Sequence, residues 1–167
     1  MIERRKAIVL VVWALPILLL LFNSCSDKCK EIICYNGGFC LDGTCGCTTG
    51  FEGNDCSLEV REKFLGTYNV QDHCSITGEN TYTVNIGPID TNVAEVQIAN
   101  FNNDFSNLVT ANISGINIEI PVQTPDNDGR SVSGVGIFNN GFTIIWNYTI
   151  VSSAGIPNDC TNSVWIK

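Results

Sequence analysis

The sequence predicts a mostly β protein: a small disulfide-rich module, then an all-β antiparallel meander whose closed form is an eight-stranded up-and-down barrel. Three observations carry this prediction. Seven of the nine cysteines fall between Cys25 and Cys56, while Cys74 and Cys160 stand far apart. From Phe64 onward, apolar and polar residues alternate with a period of two and no helical period stands out. Turn signals such as Ser114-Gly115 and Asn139-Asn140-Gly141 divide the alternating runs. At 167 residues the chain has room for one mid-sized domain plus something small.

The N-terminus points to export. Met1 to Lys6 is a short basic head containing Arg4, Arg5 and Lys6, and Ala7 to Phe22 is an apolar run of 16 residues containing Pro16. At about 1.5 Å per residue the run spans roughly 24 Å, short of the ~30 Å hydrocarbon core. A basic head, a short apolar stretch and small polar residues at its end read as a secretory signal over residues 1–24. The alternative is an uncleaved signal-anchor helix. Leu21-Phe22-Asn23-Ser24-Cys25 follows the apolar run. It resembles the lipobox of bacterial lipoproteins, which implies a palmitate-type acyl anchor on Cys25 and a mature chain beginning there. Phe22 and Asn23 depart from the usual box, being bulkier or more polar. Parity agrees with a modified Cys25, since removing it from nine cysteines leaves an even number.

From Cys25 onward, six Lys and Arg face sixteen Asp and Glu, a net charge of −10. That excludes nucleic acid as a natural partner, because phosphates demand a basic face. It also argues against peripheral attachment to anionic lipid through the protein surface at large.

Residues Cys29 to Cys56 read CKEIICYNGGFCLDGTCGCTTGFEGNDC. The gaps between cysteines, with Asn36-Gly37-Gly38, Cys45-Gly46-Cys47 and Gly50-Phe51-x-Gly53-x-x-Cys56, resemble an EGF-like domain over the whole segment. A piece this short buries too little apolar surface to offset its chain entropy, so covalent staples substitute for a core. Six cysteines allow 15 pairings. The resemblance implies Cys29–Cys40, Cys34–Cys45 and Cys47–Cys56. Zinc is disfavoured because no C-x₂-C pair exists and the single histidine, His73, lies outside the cluster. Calcium is disfavoured too. Asp42 reads as the turn residue of Leu41-Asp42-Gly43. Ser57 to Lys63 reads as a charged linker.

In residues 64–167 the alternating runs are Gly66 to Val70, Tyr82-Val84-Ile86, Ala94-Val96-Ile98, Val109-Ala111-Ile113, Ile116-Ile118-Ile120, Ser131 to Phe138, Phe142 to Ile150, and Ser163 to Ile166. These make about eight strands. Pro121 to Gly129 reads as an exposed connection. Cys74 lies just after the first strand and Cys160 just before the last, so a Cys74–Cys160 bridge would place those strands side by side. An even strand count permits closure, although a strongly twisted open sheet also satisfies the bridge. Phe64-Leu65-Gly66-Thr67-Tyr68 and the meander behind it resemble lipocalin-like domains of Bacteroidota lipoproteins. That resemblance implies a ligand cavity. At this size the sequence favours an interior filled by Tyr82, Phe142, Trp146 and Tyr148.

No catalytic constellation is visible, and no cofactor is expected. His73 reads as a surface residue at a strand end, Asp126 and Asp128 as turn residues, and Gly134-x-Gly136 as a bulge or close packing contact. The expected protein is therefore non-enzymatic: a lipoprotein of the bacterial outer membrane, exposed at the cell surface. Its module serves as spacer or contact surface and its β-domain meets a protein or glycan partner. The alternatives are a carrier of a small apolar ligand and, less favoured, an enzyme inhibitor or enzyme; secreted and signal-anchored forms are the alternative locations.

Overall fold

The computed structural model describes residues 28–167. The signal segment 1–24 and the lipidation site Cys25 lie outside the described residues. The stapled module comprises two hairpin-like pairs. Strand β1 (Phe39–Leu41) pairs antiparallel with β2 (Thr44–Gly46), and β3 (Phe51–Glu52) pairs with β4 (Leu58–Glu59). Between β1 and β2 the turn residues Asp42 (φ 51°) and Gly43 (φ 93°) are both left-handed. A two-residue hairpin following the strand twist demands that conformation, and Asp-Gly adopts it at little cost. Disulfides join Cys29 to Cys40, Cys34 to Cys45 and Cys47 to Cys56. Gly38 passes so close to them that a Cβ there would lie 2.8 Å from the Cys56 sulfur.

Residues 57–63 are folded rather than a linker. After β4 comes a 3₁₀ turn, Val60–Lys63, in which Val60 and Arg61 are buried. Charged composition suggested a solvated bridge, but Arg61 is consumed by local acceptors. Its Nη1 donates to the carbonyls of Ile89 (2.5 Å) and Asn92 (3.2 Å), and its Nε to Glu59 (2.8 Å). Val60 N–H donates to the Gly50 carbonyl, and Lys63 pairs with Glu52 at 2.7 Å. Gly50 itself packs on Val93, so module and barrel abut directly.

Eight strands form the closed barrel: β5 (Gly66–Cys74), β6 (Gly78–Pro88), β7 (Glu95–Ala99), β8 (Val109–Ser114), β9 (Asn117–Gln123), β10 (Ser131–Asn139), β11 (Thr143–Val151) and β12 (Pro157–Ile166). Each pairs antiparallel with its sequence neighbours, and β12 returns to β5 with Cys160 opposite Cys74 and Trp165 opposite Val70. Both cysteines lie within their strands, which are longer than the alternation alone indicated, and they are joined by a disulfide.

The interior is filled. Tyr68, Val84, Ile86, Ile98, Ile118, Ile120, Ile144, Trp146 and Trp165 are buried in one cluster, with the Trp146 and Trp165 rings 5.2 Å apart. Such packing requires somewhere for the rings to go. Gly134 and Gly136 on β10 stand opposite Tyr148 and Trp146 on β11. A Cβ on Gly134 would approach the Tyr148 Cβ to 2.4 Å, and one on Gly136 the Trp146 ring to 2.7 Å. The register between β9 and β10 also shifts beside Gly134.

Two expected core members fall elsewhere. Phe142 is 66% exposed and Ile116 is 54% exposed. Each sits in a turn beyond its strand, where the alternating phase no longer fixes direction. Phe64, Phe101, Phe105 and Trp165 supply the missing volume, Phe64 at one end against Phe138 (ring centroids 5.1 Å apart) and Phe101 and Phe105 at the other. Among the described residues no helix is long and apolar enough to cross a membrane.

Candidate functional site at the loop end of the barrel

Strand directions give the barrel two unlike ends. The module end carries the 3₁₀ turn 60–63, the connection 89–94, the short turns 115–116 and 140–142, and Lys167. At the loop end lie connections 75–77, 100–108, 124–130 and 152–156.

The connection 100–108 turns inward because of its asparagines. Asn100, Asn102 and Asn103 all have φ between 53° and 60°, a region that asparagine tolerates better than most residues. These turns drive Phe101 into the barrel mouth, where its ring meets Tyr148 at 4.9 Å and Trp165 at 5.6 Å. Phe105 follows it in.

Beneath this plug lies Asp72, only 1% exposed. In β5 the inward phase set by Tyr68 and Val70 puts a carboxylate on the apolar face. The hydroxyls of Tyr82 and Tyr148 each donate to its Oδ2 at 2.6 Å. Tyr148 has one proton and gives it to the carboxylate, so the Asn102 side chain, 3.1 Å away, is best oriented with its amide N–H₂ toward the phenol oxygen. Burial first, then the adjacent Asp72 charge, pushes the Tyr82 hydroxyl far above its ordinary value. For Tyr148 burial again leads, with Tyr82 and Asp72 adding to it. Both phenols stay neutral donors. The other carboxylate oxygen, Asp72 Oδ1, is buried and has no hydrogen-bond partner among the described residues, as are Trp146 Nε1, Trp165 Nε1 and Ser163 Oγ.

Over the mouth, Arg130 ties the loops together. Its guanidinium pairs with Asp104, with Asp126 (3.1 Å) and with Asp128 (2.6 Å), and lies 4.9 Å from the Phe105 ring centroid. Asp126 additionally accepts the backbone N–H groups of Ser106 (3.0 Å) and Asn107 (2.8 Å). These two bonds, ahead of the Arg130 charge, hold its carboxyl below the usual range. Asp128 is lowered likewise, mainly by hydrogen bonds from Arg130. The turn assignment of Asp126 and Asp128 is thus incomplete: they are also the acceptors of an arginine clamp.

Beside the clamp, Ile76, Ile150 and Ile156 with Asn102, Asp104 and Asn158 line an open recess of about 300 Å³. A larger trough of about 530 Å³ crosses the outer face of β9–β12 between residues such as Glu119, Ser133, Asn147 and Thr161. It is wide open to solvent and lies where strand pairing is irregular at Val132/Gly134 and Trp146/Tyr148, so it reads as a furrow in the sheet.

The sequence-derived candidates distribute as follows. Cys29, Cys34, Cys40, Cys45, Cys47 and Cys56 staple the module, and Cys74 and Cys160 bridge β5 to β12 at the loop end. His73 is half-exposed on β5, 3.6 Å from Glu79, and points away from the Asp72 centre. Sequence reading passed over Asp72, Asn102 and Arg130. Only Asp72 left a signal, as an acid at an inward position of an alternating strand.

No family model matches the chain. Among solved structures it is similar to a redesigned β-barrel, at 11% identity over 65% of this chain and 94% of that one, with a TM-score of 0.48.

Proposed function

We propose that this protein is a non-enzymatic, exported lipoprotein, held in a bacterial outer membrane through Cys25, that presents the loop end of its barrel to a partner outside the cell. The observation carrying this reading is polarity. The stapled, EGF-like module joins the barrel at one end, through Arg61, Val60 and Gly50, while the long connections gather at the opposite end. An anchor entering through the module therefore directs those loops away from the membrane. They are stiffened for contact by the Arg130 clamp and by Asn158, which accepts from the Ile76 N–H and donates to Thr77.

Charge narrows the partner class. Glu79, Asp104, Asp126, Asp128 and Asp159 gather at the loop end, where Arg130 is the one cation among the described residues. Such a field favours a protein or glycan with a positively charged face and speeds its encounter. The test uses intact cells of a lipoprotein-processing host. Palmitate-analogue label should enter the wild-type chain and be lost in Cys25→Ala, and an antibody to residues 124–130 should stain unpermeabilised cells. An unlabelled wild-type chain, or loops reached only after permeabilisation, would sink the proposal.

A second reading, carriage of a small apolar ligand, draws support from the recess between Ile76, Ile150 and Ile156. With aromatic rings occupying the interior, such a ligand would sit at the mouth. Ile156→Asp should then abolish its uptake without changing the barrel's thermal midpoint.

A further inference from the structure

From the hairpin β1–β2 we infer a lipid-contacting foot, an inference that rests on the membrane anchor proposed above. Successive residues of a strand point to opposite faces. On one face of this hairpin, Cys40 and Cys45 are paired across the strands and bridged to Cys29 and Cys34. The opposite face bears Phe39 and Leu41, which are 61% and 63% exposed. Phe39 lies across Gly46, whose missing side chain leaves the ring a flat seat. Two large apolar residues therefore stand side by side on solvent, in a module too small to cover them.

Their position names the occupant. The turn following Leu41 is where the chain enters from the anchor: Lys28 pairs with Asp42 at 3.6 Å, and a Cβ on Gly43 would lie 3.4 Å from the Lys28 Cβ. Ahead of Lys28 come 27 residues, including the apolar run Ala7 to Phe22, and Cys25 precedes Lys28 by only three positions. Three residues reach at most about 11 Å. An acyl chain on Cys25 therefore holds this hairpin at the headgroup boundary of the same bilayer. There an aromatic and an aliphatic side chain gain by entering the acyl edge. The foot fixes the module's tilt on the membrane, which a flexible tether alone leaves free.

Leu41→Trp in the full, processed chain tests this, since Leu41 is largely exposed and has room for the larger ring. The protein is mixed with phosphatidylethanolamine vesicles containing a minority of phosphatidylglycerol, with acyl chains brominated near the headgroups. Flotation reads the anchor, and the difference emission against unsubstituted protein reads residue 41. Expected is co-flotation, with the added tryptophan blue-shifted and losing roughly half or more of its emission to bromine. Ile156→Trp at the loop end should float equally and keep its emission. A floating protein whose residue 41 stays unshifted and unquenched overturns the foot while leaving the anchor intact, and is the result expected of a hairpin face reserved for a protein partner. A chain that does not float overturns the anchor, and the foot with it. Should peptide mapping show that Leu41→Trp disturbs the disulfides, Phe39→Trp reports on the same face.

Discussion

Gly134 and Gly136 look expendable in a strand, where glycine usually weakens pairing. Their positions opposite Tyr148 and Trp146 reverse that judgement, because a methyl group at either would enter space held by a side chain and, at Gly134, by the Asn147 carbonyl 2.9 Å away. Gly134→Ala should lower stability by about 2–3 kcal/mol, an overpacking cost, read as a shift of the urea midpoint with unchanged slope. The tyrosines give a second residue-level expectation. Burial raises Tyr68 from 10.0 to about 12, and raises Tyr82 and Tyr148 further. The folded state then holds protons that the unfolded chain releases, so stability is complete below pH 10 and falls as pH rises above it. Phenolate absorbance should show these three titrating late, together with alkaline unfolding. Early, independent titration would contradict the buried Asp72 centre.

At the scale of elements, two unlike segments owe their order to one arginine each. Arg130→Ala should free connections 100–108 and 124–130, increasing amide exchange at Ser106 and Asn107 while leaving the strands protected. The Asp126 and Asp128 carboxyls are both lowered from 3.8, so the clamp is complete above that value and loosens as pH falls through their lowered values. Exchange at the same amides should therefore rise in acid before the barrel unfolds. Arg61→Ala removes the charged donor from the Ile89 and Asn92 carbonyls, which keep only the backbone N–H groups of Asn92 and Glu95, and should cost about 1–3 kcal/mol while loosening the module from the barrel. Neither arginine advertised itself in the sequence. The partners of Arg130 include Asp104, 26 positions away, and those of Arg61 include backbone carbonyls 28 and 31 positions away. Alternation reports which face of a strand is buried; it carries no information about polar pairs between loops. For the same reason alternation does not mark Phe101 and Phe105, outside every strand, as core, and it extends inward to Phe142, which lies just beyond one and is exposed.

For the molecule as a whole, the strand pattern was legible because every barrel strand has one dry face and one wet face. Eight alternating runs with short turns leave few topologies besides an up-and-down barrel. What the pattern could not supply was how the two ends are stoppered, since that depends on Phe64 and Phe101, which lie in non-repeating backbone. The bridge between Cys74 and Cys160 spans 86 residues. By loop-closure entropy it should contribute on the order of 4–5 kcal/mol, so Cys74→Ala/Cys160→Ala should lower the urea midpoint substantially while retaining β circular dichroism.

That bridge also has a mechanical meaning. The barrel's first and last strands are neighbours, and both begin or finish at the module end, where the Lys167 ammonium donates to the Lys63 carbonyl. Tension between the two termini would open their pairing rung by rung, like a zipper, from that end. It would stop at Cys74–Cys160, leaving the 85 residues between the bridged cysteines beyond the reach of the load. Tension from a partner gripping the loops instead runs along β5 and loads its ladder of hydrogen bonds broadside, all together. In single-molecule pulling the second geometry should withstand the higher force, and the first should give a short extension that lengthens only after reduction.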